Sequence, residues 1–318
     1  METNPLMNWI PYRLSREESN CDWLYLGDNR FLQPFFEETI SRCKSLPENS
    51  SRFRPSGSFE FIREAARDIE PVPPAAFIFH VSRCGSTLVS QLLSLDESNI
   101  ILSETPLFDQ FLRKGRPGFH QDSYLSLLND SIRLYSVPRT EKERRVFIKT
   151  DSWHVHFYKE LRKLFPATPF ILLYRQPVEV LRSQQKRRGM QSVQGVIEPE
   201  IFGFNKNEIM ELSMDQYMAK VLESYFTAFL QIGKSDPNSF LVNYNEGVLP
   251  LIEKIAAISG YEIPVHVKEN MKERASYHGK YPDEKFAGDS QGTETLAEPG
   301  ILLALYDEIE TLRLSSEK

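Results

Sequence analysis

Short apolar runs without glycine or proline recur along the chain, each ending in a polar turn. They are residues 77–81 (FIFHV), 100–102 (IIL), 146–149 (VFIK), 170–174 (FILLY) and 240–244 (FLVNY). Apolar residues at consecutive positions suit strands buried on both faces, as in parallel sheets. Between the runs the period changes to that of a helix. Met214, Tyr217, Met218, Val221, Leu222, Tyr225, Phe226, Phe229 and Leu230 predict a helix over 214–232, opened by Ser213 and Gln216 at capping-box spacing. A second helix is predicted over 248–259, stopped by Gly260, and an amphipathic third over 302–314. Strands separated by helices predict an α/β fold, a parallel central sheet with helices on both faces.

The first 75 residues are mixed. A helix from about Pro34 would align Phe35, Phe36, Ile40 and Cys43 on one apolar side. The Ser/Pro/Arg-rich stretch 47–58 reads as a loop, and Pro71-Val72-Pro73-Pro74 as a stiff connector into the first clear strand. This divides the chain into an N-terminal extension, 1–75, packed on an α/β domain, 76–318, within a single globular unit. Residues 279–300, polar and rich in glycine and proline, read as a long loop.

A chain of 318 residues can bury a sizeable core, and 41% hydrophobic with 26% charged residues is ordinary for a folded protein. The net charge of −6 argues against general binding to nucleic acid or membrane surfaces, although Lys186-Arg187-Arg188 is locally basic. Cys21, Cys43 and Cys84 are scattered without metal-ligand spacing, which fits a reducing compartment. The opening METNPLMNWIPYRLS lacks the basic and apolar regions of a signal peptide, and no apolar run approaches membrane-spanning length. The expected location is the cytoplasm.

Candidate chemistry starts where the first run breaks off into Ser82-Arg83-Cys84-Gly85-Ser86-Thr87 and a helical pattern begins at Leu88. A strand, a tight turn and a helix N-terminus form an anion cradle at the carboxyl edge of a parallel sheet. Arg83 adds a positive charge, and Ser86 and Thr87 add hydroxyl donors. The lysine of a G-x-x-x-x-G-K-[ST] loop is missing, which disfavours a nucleoside triphosphate. Taken alone, the turn could equally be a plain junction whose hydroxyls cap the helix. A second strand–helix junction, FILLYRQPVEVLRSQQKRR, places Arg175 at a strand end, Pro177 at a helix start and Ser183 eight residues after the arginine. Two anion sites at the ends of parallel strands suit one ligand with two anionic groups; the alternative for Arg175 is a surface ion pair.

Together these stretches resemble the sulfotransferases, which use 3′-phosphoadenosine 5′-phosphosulfate. The likeness rests on an R/K-x-G-[ST]-[ST] turn, matched by Arg83, Gly85, Ser86 and Thr87, and on an arginine with a serine eight residues later, matched by Arg175 and Ser183. It implies a three-layer fold like that of P-loop NTPases. It also implies a donor held at Arg83, Cys84, Gly85, Ser86, Thr87, Arg175 and Ser183. In SFLVNYNEGVLPLIEKIAAISGY, Tyr244 stands at the tyrosine of a Y-E-D-L-type segment, and KENMKERASYHGK points to Ser276 and Tyr277 near the adenine. The resemblance covers about Phe77 to Lys280. Two departures stand out: Asp151 occupies the histidine position of a K-x-H-L-type segment, and the late R-K-G-x-x-G motif is not evident.

The activity implied is in-line transfer of a sulfuryl group to a hydroxyl or amine, with 3′,5′-phosphoadenosine as product. Arg83 would hold the transferring group and Lys149 would contact bridging or transferring oxygens, unless it is a surface lysine that snorkels. Glu104, His154 and Asp151 are the candidate bases, in that order. Glu104 could instead stabilise a helix start, and His154 and His156 could merely pack. Cys84 could be a nucleophile, and is read as a small filler. No Asp/His ligand cluster argues for a metal. The expected acceptor is a small or carbohydrate-like molecule, bound by residues 1–75, 109–140 and 189–212. There Phe111, Phe119, Tyr124, Phe202 and Phe204 line a pocket or simply pack. The competing functions are an ATP-dependent small-molecule kinase and a nucleotide-binding regulator without catalysis.

Overall fold

The computed structural model of the chain describes residues 6, 8–16, 19–33, 35–115, 121–277 and 300–316. Pro34, Phe119 and all of the expected 279–300 loop except Gly300 lie outside the described residues. The first elements in chain order are strands β1 (Trp9–Leu14) and β2 (Asn20–Tyr25), helix α1 (Phe36–Cys43), β3 (Ser56–Ser58) and α2 (Phe59–Arg67). Next come β4 (Pro74–His80), α3 (Ser86–Leu93), β5 (Asn99–Ser103), α4 (Pro106–Lys114), α5 (Gln121–Tyr135) and β6 (Arg145–Lys149). Then follow α6 (Tyr158–Leu164), β7 (Phe170–Tyr174), α7 (Pro177–Lys186), α8 (Lys206–Met210) and α9 (Met214–Ser235). The chain continues with β8 (Ser239–Asn243), α10 (Val248–Ile258), α11 (Val265–Ala275) and α12 (Gly300–Ser316).

Five strands form a parallel sheet in the order β5-β6-β4-β7-β8, flanked by helices. These are the five strands that the apolar runs predict. Every residue of β5 and β7 is buried, which is why their sequences do not alternate. Strand β4 begins earlier than expected, at Pro74, a first-residue position where a missing N–H does no harm. Strand β8 ends at Asn243, so Tyr244 opens the turn after it instead of closing the strand.

The residues sort into two compact units. One gathers the described residues of Met1–Phe77, Ser90–Asp151 and Glu160–Pro166. Its N-terminal part is an antiparallel sheet in the order β1-β2-β3, which the sequence reading missed. Strands β1 and β2 are half buried without clean alternation, and the β1–β2 register shifts between Pro11 and Arg13. The expected loop over 47–58 ends in β3, where Ser56 pairs with Asp22. Tyr135 ties this sheet to the core: its hydroxyl donates to the Pro11 carbonyl. Its ring meets Phe31, Phe36 and Phe108 at 5.9, 5.4 and 5.2 Å.

The other unit comprises Ile78–Val89, Ser152–Lys159 and the described part of Ala167–Lys318. Helix α9 is its long central helix, with Tyr217, Val221, Tyr225 and Phe229 fully buried. The predicted capping box is present: Gln216 N–H donates to Ser213 Oγ at 3.2 Å and Ser213 N–H to Gln216 Oε1 at 2.9 Å. Among the described residues no helix is long and apolar enough to cross a membrane.

Candidate functional site

The turn from β4 into α3 departs from ordinary backbone geometry. Ser82 and Arg83 have φ of 60° and 50°, and Gly85 has φ of 82°. Side-chain-bearing residues in this left-handed region cost roughly 1–3 kcal/mol each, so the surroundings must impose the shape. They do so through side chains. Ser82 N–H donates to His80 Nδ1 at 3.1 Å, and Gln184 Nε2 donates to Ser82 Oγ at 3.2 Å. The Arg83 guanidinium donates to the Arg187 carbonyl, and the Cys84 thiol points to the Leu173 carbonyl at 3.5 Å. Cys84, Ser86 and Thr87 are all buried, which fits Cys84 as filler. The first N–H groups of α3 have no intrahelical acceptor, and a left-handed turn ahead of them is a suitable anion seat.

Gly85 is required twice. Its φ suits glycine, and a Cβ there would lie 2.0 Å from the ring of Tyr244. The same ring carries the Arg175 guanidinium 5.4 Å from its centre. Tyr244 therefore meets a residue of each predicted anion site. Both sites lie at the carboxyl ends of strands joined by Val81 N–H donating to the Leu173 carbonyl at 3.2 Å. They share one rim of this unit.

Arg175 directly follows β7, and its Nε donates to Glu179 Oε2 at 2.5 Å on the first turn of α7. Ser183 is half buried two turns along α7, and its hydroxyl makes no hydrogen bond among the described residues. In the basic run, Arg188 pairs with Asp215, and the hydrogen bonds from Arg188 and Gln185 hold the Asp215 carboxyl below its usual range. Ser276 and Tyr277 follow the last turn of α11, where Ser276 Oγ donates to the Glu273 carbonyl at 2.7 Å. No described contact joins these two to Tyr244 or Arg175.

Glu104 and Lys149 belong to the other unit. Glu104 follows β5 with φ of 52°, and its N–H donates to the Lys149 carbonyl at 2.8 Å. Lys149 Nζ donates to Glu104 Oε1 at 2.5 Å, with its side chain fully buried and its ammonium 5.5 Å from the Phe35 ring centre. Lys149 is therefore not a snorkelling surface lysine. Asp151 is buried, and the fold brings a carboxylate oxygen of Asp109 within 4.8 Å of its own. No Asp/His ligand cluster is legible in the sequence, because Asp109 and Asp151 stand on separate segments that only the fold brings together. In the second unit, His154 is buried in a 3-10 turn over Ser152–Phe157, edge-on to Trp153 and Phe157 at 5.8 and 6.1 Å. His156 Nε2 lies 3.2 Å from Ser224 Oγ, and burial pulls its pKa down to about 4.

The aromatic residues expected near an acceptor mostly pack. Phe111 is fully buried against Phe59 and Tyr124, and Phe202 and Phe204 stack at 5.6 Å. A cavity of about 340 Å³ opens instead on the N-terminal sheet, lined by Arg13, Leu14, Ser15, Arg16, Asp22 and Arg54.

One group of residues escaped the sequence reading. On α12, Tyr306, Glu310 and Arg313 fall at i, i+4 and i+7, one face of the helix. Arg313 grips Glu310 with two donors at 3.0 and 2.9 Å and also pairs with Glu246. Glu310 accepts from Tyr174, and Tyr306 accepts from Asn243 Nδ2 at 2.9 Å. Burial alone would raise the Glu310 carboxyl, but the bonds from Arg313 and Tyr174 hold it below its usual value. Helix α12 thus fastens the last residues of β7 and β8, next to Arg175 and Tyr244. Its signal in sequence is the i, i+4, i+7 spacing of Tyr306, Glu310 and Arg313.

No protein-family model matches the chain, and a comparison with curated proteins finds no match. Among solved structures it is similar to a sulfotransferase from Alicyclobacillus acidocaldarius, at 12% identity and a TM-score of 0.43, over 77% of this chain and 99% of that one. It is also similar to sulfotransferase STF9 from Mycobacterium avium, at 12% identity and a TM-score of 0.47, over 80% of each chain. A third is mouse sulfotransferase SULT7A1 complexed with PAP, at 10% identity and a TM-score of 0.37, over 70% of this chain and 72% of that one.

Proposed function

We propose that the protein transfers a sulfuryl group from 3′-phosphoadenosine 5′-phosphosulfate to a hydroxyl or amine. The observation that carries this reading is the Tyr244 ring, packed against Gly85 and lying beneath Arg175. It supports the reading because residues of both expected anion sites, Gly85 and Arg175, meet one ring, an arrangement that suits a nucleotide with separate 5′ and 3′ anionic groups. The residues present fit such a donor. Gly85 lets the Tyr244 ring pack against the turn, the β4–α3 turn is set in a shape suited to an anion, and no Walker lysine calls for a triphosphate.

In this reading the turn amides and Arg83 hold the 5′ side and neutralise its oxygens, while Arg175 and the Ser183 hydroxyl hold the 3′-phosphate. When bound, the donor supplies an activated sulfuryl group on a phosphate leaving group. Glu104 takes the proton from the acceptor. Its carboxylate is oriented for that task by the buried Lys149 ammonium, which donates to Oε1 at 2.5 Å. His154 ranks second, since its ring is enclosed by Trp153 and Phe157, and Asp151 third. Lys149 holds Glu104 in place before it does anything else.

Thermal-shift titration tests the donor assignment. Selective stabilisation by 3′,5′-phosphoadenosine is expected; stabilisation by ATP with magnesium alone would favour a kinase. Glu104→Gln should keep phosphoadenosine binding and slow transfer to a hydroxyl acceptor by about a hundredfold or more. Unchanged turnover in that variant would remove Glu104 as the base.

A further inference from the structure

We infer that Asn245 and Glu179 are positioning residues that orient Arg175 toward the 3′-phosphate of the nucleotide; this rests on the function proposed above. Asn245 lies in the turn after β8, and its side chain reaches across to the β7–α7 junction. Its Oδ1 accepts from Gln176 N–H at 2.9 Å, and its Nδ2 donates to Glu179 Oε2 at 3.1 Å. That same carboxylate oxygen accepts from Arg175 Nε at 2.5 Å. Asn245 is itself held, because its N–H donates to Asn243 Oδ1 at 2.9 Å while Asn243 Nδ2 donates to Tyr306 on α12. A continuous run of hydrogen bonds therefore leads from the C-terminal helix to the guanidinium.

The arrangement has a consequence for recognition. A guanidinium is a planar fork, so fixing Nε against Glu179 and one face against Tyr244 fixes the plane of its remaining donors. Glu179 also places a negative charge beside the proposed phosphate seat, which by itself would weaken binding. Two opposite effects act through one residue, and substitutions separate them. Asn245 is exposed, so replacing it leaves the core intact.

The test measures affinity for 3′,5′-phosphoadenosine and for adenosine 5′-monophosphate, which lacks the 3′-phosphate, alongside thermal melting. Wild type should prefer phosphoadenosine by tenfold or more. Asn245→Ala should lose about tenfold in phosphoadenosine affinity, with the monophosphate within about twofold and melting close to wild type. Glu179→Gln, which keeps the acceptor and removes the charge, should bind phosphoadenosine at least as well as wild type. Glu179→Ala should bind it about tenfold more weakly. Equal tightening in both Glu179 variants would show a competing charge and no positioning role, overturning the inference. So would an unchanged ligand preference in Asn245→Ala. A wild type without any preference for the 3′-phosphate would sink the underlying reading itself.

Discussion

Gly85 carries the strongest single-residue prediction. Gly85→Ala would force a methyl group into the Tyr244 ring and impose an unfavourable φ. The variant should bind 3′,5′-phosphoadenosine at least about tenfold more weakly by calorimetry. His156 offers a test by pH. Its ordinary value is 6.5 and its folded value about 4, so below 6.5 the unfolded chain takes up a proton that the folded protein refuses. Stability from the neutral ring is complete above 6.5 and is lost as pH falls toward 4. Allowing for partial exposure, the loss is about 2 kcal/mol, and His156→Asn should lack it in urea unfolding at pH 7.5 and 5. An equal loss in both proteins would refute this origin. The Arg83–Thr87 turn was legible in sequence because strand, turn and helix are contiguous there. That Gly85 lies under Tyr244, and that Lys149 is buried against Glu104, arises from chain-distant contacts that no local spacing encodes.

At the scale of elements, consecutive burial wrote the five parallel strands into the sequence, and β1 and β2 stayed hidden because their burial is partial and irregular. Helix α9 was legible down to its capping box. Ser213→Ala should therefore cost about 1 kcal/mol in urea unfolding. Helix α12 was legible as a helix, but its role was not, since Glu246, Tyr174 and Asn243, which bond Arg313, Glu310 and Tyr306, come from elsewhere in the chain. Arg313 is 6% exposed, so Arg313→Met would leave the Glu310 carboxylate without its cation, while Glu246 keeps Lys254 at 3.0 Å. A loss of about 3 kcal/mol is expected, partly recovered when Glu310→Leu is added. A variant as stable as wild type would mean that the α12 ion pairs contribute nothing.

Across the whole molecule, a chain of net charge −6 sets Arg83 and Arg175 at the ends of two hydrogen-bonded strands, with Gly85 and Arg175 against one aromatic ring. Two arginines at neighbouring turns, against an acidic background, suit a small anionic ligand and not a polyanionic surface. In the proposed function the pair matters through its separation, one tether for each end of the nucleotide. The most direct measurement is therefore calorimetry of wild type and Arg175→Ala, each with 3′,5′-phosphoadenosine and with adenosine 5′-monophosphate. The account predicts that the variant loses about thirtyfold in affinity for phosphoadenosine and little for the monophosphate, so that the preference disappears. A preference for phosphoadenosine that survives the loss of Arg175 would contradict it.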